Sequence, residues 1–310
     1  MALNRFFRIA SIAALVSAFI QVTLGGIVRV TGSGLGCPDW PLCHGQIIPP
    51  FEISTLIEYS HRLSASVLII LVLIIATISW RHYRSNSWIL ISSFLALTFV
   101  IIAAILGGIT VFTKLSSWLV LAHLGIAEAT VLCLVAVVVA SCMNSNHNEN
   151  DSKPIKTDKI TLLTIITLIS GFVLILYGSY MVGQGAGSSC NTWPLCKGSL
   201  MPSGSRYAIH MGHRYLSVIV AVLIIITAFS SWKTRKNHHQ LMQANLILIM
   251  MFFVQVIIGA ITVWTGFTAE MRALHLSAAT LVWIALGVVA SLELSRQRFN
   301  HRRLFSTTNH

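Results

Sequence analysis

Residues 32–49 read GSGLGCPDWPLCHGQIIP, and residues 185–202 read GAGSSCNTWPLCKGSLMP. Nine of these eighteen positions are identical at an offset of 153. One residue is then lost and the offset becomes 152. His61-Arg62 matches His213-Arg214, Ile109-Thr110 matches Ile261-Thr262, and His123-Leu124 matches His275-Leu276. The chain is a tandem duplication, so each copy is read as one structural unit before any single motif is weighed.

Outward from these two segments, apolar runs lie at 9–30, 58–80, 87–112, 116–142, 159–182, 208–231, 241–264 and 270–292. Each is long enough to span a bilayer, which takes about 20 residues. The expected fold is an all-α integral membrane protein, with eight transmembrane helices arranged as two tandem four-helix bundles. Residues 1–143 form the N-terminal half, 144–158 a cytoplasmic linker, and 159–310 the C-terminal half. Four spans return the chain to its starting side, so the repeats are parallel and not inverted. Arg5 and Arg8 precede the first run as in a signal peptide, but the run is too long and no small-residue cleavage site follows. It is read as a span.

The composition agrees. Of 310 residues, 55% are hydrophobic and 10% charged, against roughly 25% charged in soluble domains. That excludes a soluble globular or disordered chain. The net charge of +12 does not point to nucleic acid, because the basic residues flank the apolar runs and there set orientation. Fourteen of the 21 fall on one side, among them Arg5, Arg8, Arg81, Arg84, Lys153, Lys156, Lys233, Arg235, Lys236 and the arginines of the tail. Both termini are therefore expected in the cytoplasm, and the loops 31–57 and 183–207 outside.

Those outward loops hold four of the six cysteines at equal spacing, Cys37 with Cys43 and Cys190 with Cys196. An oxidising compartment favours disulfides, whereas zinc sites use closer spacing and four ligands together. Spacing does not separate a structural staple from a redox-active pair. Cys133 and Cys142 lie inside the fourth span and read as packing residues.

The histidines recur in register: His61 and His123 in one half, His213 and His275 in the other. Each pair sits on the second and fourth helices of its half, near their outer ends. Two opposed imidazoles between bundle helices suit axial ligation of a haem iron. A pair of hydrogen-bonded helix contacts is the plainer reading. Arg29, Arg62 and Arg214 stand at the membrane edge as candidate contacts for haem propionates, with lipid phosphate as the alternative.

One position breaks the symmetry. Glu58 precedes His61 by one helical turn, whereas the matching residue before His213 is His210. The divergence suggests one half for reaction and one for electron handling, unless Glu58 is an interfacial carboxylate that meets water. Glu128, deeper in the fourth span, is either functional or a hydrogen bond to a neighbouring helix.

On these residues the chain resembles the haem A synthase family, of the bacterial type with paired loop cysteines. The resemblance rests on GGIVRVTGSGLGCPDWPLCHG at 25–45, EYSHR at 58–62, AHLG at 122–125, HMGHR at 210–214 and ALH at 273–275, and it covers nearly the whole chain. It implies oxidation of a ring methyl of haem O to a formyl group by two successive hydroxylations, giving haem A for terminal oxidases. It also implies that His213 and His275 ligate a resident haem b, while His61 and His123 hold the haem O substrate. Glu58 matches the family's catalytic acidic residue, and Cys37 and Cys43 match the pair linked to activity. Cys190 and Cys196 match a second pair, read as structural. The implied setting is the plasma membrane of a bacterial cell. The implied partners are haem O, the bilayer, haem O synthase, an electron acceptor and a second copy in a homo-oligomer, with no nucleic acid among them. The competing function is a di-haem electron carrier from quinol to a periplasmic acceptor. A transporter would not need the in-register histidines.

Overall fold

The computed structural model describes residues 2–143, 159–234 and 238–306, with side chains as far as Ser295. The expected linker 144–158, with Lys153 and Lys156, lies outside the described residues, as do Arg235 and Lys236. Among the described residues eight helices are seen: α1 Ala2–Val30, α2 Ile53–His82, α3 Ser87–Phe112, α4 Ser117–Met143, α5 Lys159–Gly183, α6 Ser205–Thr234, α7 His239–Trp264 and α8 Ala269–Ser306. All eight contain a stretch long and apolar enough to cross a membrane. Helix is the form such runs must take in lipid, where every backbone group needs a partner within its own segment.

The helices outrun the apolar stretches at their polar ends. α2 begins at Ile53 rather than 58 because the preceding loop holds its first turn: Thr55 Oγ1 donates to the Gly36 carbonyl at 2.9 Å. α3 is capped by Asn86, whose side chain accepts from the Trp88 and Ile89 amides at 3.2 and 3.3 Å, satisfying donors that the first turn leaves open.

Contacts among α1 to α4 close a ring, with α1 on α2, α2 on α3, α3 on α4 and α4 on α1. α5 to α8 close a second ring in the same order. The rings meet where α8 packs on α1 and α4, and where α4 packs on α5. Leu134, Val135, Leu286 and Val289 are buried there, while Ile70 and Phe253 are among the large apolar side chains that face outward. Glu128 is fully buried in the same contact. Its carboxylate accepts from Thr280 Oγ1 at 2.7 Å, and its carbonyl accepts from Trp283 Nε1 at 2.9 Å. Glu128 and Thr280 occupy matching positions of the repeat, so the inter-helix reading of Glu128 holds.

The two cysteine-bearing loops share one backbone plan. In each, the second cysteine begins a two-residue hairpin, with Cys43 paired to Gln46 and Cys196 to Ser199. The central residues have positive φ in both: His44 at 55° and Gly45 at 70°, Lys197 at 51° and Gly198 at 77°. A turn with two left-handed residues matches the strand twist and favours glycine at its second position. Asp39 fastens the first hairpin by accepting from the His44 and Gly45 amides at 2.6 and 2.8 Å. The Gly45 N–H, aided by that of His44, holds the Asp39 carboxyl below its ordinary range. In the second loop Thr192 takes the same place, accepting from the Lys197 amide at 2.9 Å.

Candidate functional site

The histidines anticipated from the repeat meet in pairs. His61 of α2 faces His123 of α4 with ring centroids 6.5 Å apart, and His213 of α6 faces His275 of α8 at the same 6.5 Å. The ring planes cross at 74° and 73°. A metal–imidazole bond of about 2.0–2.1 Å, with each centroid about 1.1 Å behind its nitrogen, puts two trans imidazoles about 6.3 Å apart. Both pairs are close enough that one metal ion could be held between the two rings. Among the described residues, no group of three or more His, Cys, Asp or Glu side chains is placed to hold a metal ion.

Each ring rests in a notch cut by a glycine on the preceding helix. A Cβ on Gly25, Gly107, Gly178 or Gly259 would lie 3.0, 3.3, 3.2 or 3.1 Å from Cε1 of His61, His123, His213 or His275. These glycines were not anticipated. Their signal was present, however, since Gly25 and Gly178 are 153 apart and Gly107 and Gly259 are 152 apart, the two offsets of the repeat.

The surroundings of the rings differ between halves. Nδ1 of His123 lies 2.9 Å from the Ala103 carbonyl. It must donate there, which leaves the Nε2 lone pair free for a metal. Gln21 contacts His61 Nε2 at 3.3 Å, and Gln255 contacts His275 Nδ1 at 3.3 Å. Nδ1 of His61 and of His213 is buried without a hydrogen-bond partner. Around the second pair, a cavity of about 470 Å³ is lined by His213, His275, Gly178, Gly259, Arg29 and Arg272, among others.

Glu58 is 4% exposed. It stands in the second turn of α2 and does not meet water, so the interfacial reading is corrected. The loop folds over it: Cys37 N–H donates to Oε2 at 2.9 Å, and Arg62 pairs with Oε1 at 2.6 Å. Arg62 also donates to the carbonyls of Asp39 and Leu42 at 2.6 Å and of Cys37 at 3.1 Å. Arg214 repeats the arrangement on Thr192, Leu195 and Cys190, with Nη2 3.3 Å from Nε2 of His210. His210 Nδ1 lies 3.0 Å from the Ala186 carbonyl. A neutral imidazole that donates there and accepts from Arg214 satisfies both contacts. Of the three arginines read from sequence as candidate haem contacts, Arg62 and Arg214 are thus engaged by their own loops, although Arg214 also borders the cavity. Arg29 is not so engaged. It crosses from α1 to Ser179 of α5, at 2.8 Å to the hydroxyl and 3.3 Å to the carbonyl.

Cys37–Cys43 and Cys190–Cys196 are disulfides. All four cysteines are at most 1% exposed. Cys133 is half-buried, while Cys142, expected to pack, is exposed.

The sequence matches the COX15-CtaA model, cytochrome oxidase assembly protein, over residues 8–55 and 50–287. The chain belongs to this family. Relatives named "Heme A synthase" align along most of the chain. One from Bacillus pumilus is 29% identical, covering 83% of this chain and 85% of its own length. One from Exiguobacterium is 28% identical over 92% and 91%, and one from Bacillus cereus is 25% identical over 99% of both. A match of this extent takes in both histidine pairs and both loops of the family member described here.

Proposed function

We propose that this chain is a haem A synthase, an oxidoreductase that converts a ring methyl of haem O to a formyl group. The observation that carries the reading is one of symmetry and its breach. Two histidine pairs share one spacing, but a buried carboxylate stands beside only one of them. We assign His61 and His123 to the iron of haem O, and His213 and His275 to a resident haem b. Ligation at His61 Nε2 replaces its Gln21 contact.

The second pair fits haem b on several grounds: the ring spacing, the glycine notches, the cavity between the rings and the unpartnered Nδ1 of His213. Haem b bound there supplies one-electron chemistry. The chain's own contributions lie around Glu58. Its carboxylate takes up protons or stabilises positive charge as the methyl carbon is oxidised by four electrons over two hydroxylations. Arg62 and the Cys37 amide fix its orientation. The Cys37–Cys43 bond acts by holding that amide in place, and Cys190–Cys196 by holding the corresponding loop of the other half. Arg29 and Arg214 are the propionate contacts we retain, while Arg62 serves the loop.

In this reading residues 1–143 are the substrate half and 159–310 the haem b half, joined by 144–158. The protein sits in the bacterial plasma membrane with both termini cytoplasmic. Haem O synthase delivers the substrate, an electron acceptor receives the reducing equivalents, and the chain associates with itself.

Expression in a host that makes haem O but not haem A tests the function. Haem A is expected in pigments extracted from membranes that contain the protein and not from those that lack it. Haem O alone in both would overturn the proposal. The notches give a second test. Gly178→Val should displace His213 and lower haem b content several-fold, while Gly25→Val should spare haem b and lower haem A formation. Equal haem b loss in both would reject the division of labour.

A further inference from the structure

The repeat assigns each membrane-edge cation to its own half, but the structure does not. Arg29 belongs to the first half by sequence, yet it donates to Ser179 and lines the cavity of the second histidine pair. Arg272, at the start of α8, lines the same cavity and donates to the Val30 carbonyl at 3.3 Å. With Arg214, three guanidinium groups border this cavity, and two of them, Arg29 and Arg272, lie close to the end of α1 at Val30.

Neither has a carboxylate within ion-pairing distance among the described residues. Arg29 is half-buried and Arg272 exposed, so the cost of holding a cation at a membrane cavity without a counter-charge falls on Arg29. Of five N–H donors on each guanidinium, Arg29 uses two on Ser179 and Arg272 one on Val30, which leaves donors for a carboxylate. The positions that match them in the repeat are Val182 for Arg29 and Val120 for Arg272. The duplication thus carries this pair of cations once and not twice.

We infer that Arg272 joins Arg29 in binding the acidic groups of the cofactor in the second cavity, and that this pair, which unlike Arg214 has no arginine counterpart in the first half, makes it a retaining site. The first site, with valines at the matching positions, exchanges its occupant. This rests on the assignment of haem b to His213 and His275. It deepens that assignment by naming what keeps one haem while the other is turned over. The imidazole pairs do not supply the difference, since both have the same spacing. Because Arg29 comes from the first half, retention in the second half depends on the two halves being docked.

The test is the rate at which the purified protein gives up haem b to a soluble haem-scavenging protein, followed by absorbance. Loss of a charge-assisted hydrogen bond typically costs about tenfold in an equilibrium. An Arg29→Gln, Arg272→Gln double variant should therefore release haem b about a hundredfold faster. The fraction still loaded should keep the wild-type bis-histidine spectrum, and Lys at both positions should restore most of the retention. An unchanged release rate in the double variant would overturn the inference. So would a double variant altered only in nanodiscs of anionic lipid and not in those of phosphatidylcholine, since the cations would then serve lipid phosphate. The underlying assignment fails separately, if His213→Ala retains haem b at wild-type content.

Discussion

Replacing His213 with Ala is expected to empty the second half of haem b while leaving the eight helices in place. The ring projects into an existing cavity of about 470 Å³ and has no hydrogen-bond partner at Nδ1. Its removal therefore deletes few contacts on which the helices depend. What is lost is one of two imidazoles 6.5 Å apart, and a single remaining ligand neither fixes the iron axially nor gives a six-coordinate low-spin spectrum. Purified protein should carry haem b at a small fraction of the wild-type amount, with unchanged helical circular dichroism. His275→Ala should behave alike, with some added disturbance because Gln255 also contacts that residue's carbonyl at 2.9 Å. A normal low-spin spectrum at wild-type content in both variants would reject the ligand assignment.

Much of this site could be read from the sequence, because duplication turns weak signals into repeated ones. A lone intramembrane histidine says little, whereas four in register specify two facing pairs, and the pairs were found. Helix ends were less legible. Polar residues such as Thr55 and Glu58 extend α2 through bonds to a distant loop, which no hydropathy window detects. Arg62 and Arg214 were less legible for a related reason. At a membrane edge a cation suits a propionate, a lipid phosphate or a row of carbonyls equally well, and only the folded loop selects among them. Arg29 was hardest to place, since repeat logic keeps each residue in its own half and the structure sends this one across. The notch glycines were within reach, because their spacing follows the repeat offsets, but glycine is too common in membrane helices to stand out before the histidine rings are seen against it.

Glu58→Gln is expected to stop the reaction while leaving the structure nearly intact. The amide is the same size, and its oxygen can still accept from the Cys37 N–H, so the loop keeps that tie. Arg62 loses its ionic partner but retains the carbonyls of Asp39, Leu42 and Cys37, enough to hold the loop over the second turn of α2. Haem b content should therefore be unchanged, because His213 and His275 lie in the other ring of helices. What the variant lacks is a group that takes a proton or opposes developing positive charge. Loss of such a group typically costs about 10²–10⁴-fold in rate. Extracted pigments should then contain haem O, or an intermediate with a hydroxylated methyl, and little haem A. His210→Gln is the matched control. His210 bonds the Ala186 carbonyl and Arg214 much as Glu58 bonds its own loop, so a purely structural role would make the two variants similar. A far milder effect at His210 marks Glu58 as chemical. Near-normal haem A from the Glu58→Gln protein would remove that role from Glu58 and leave both histidine pairs standing.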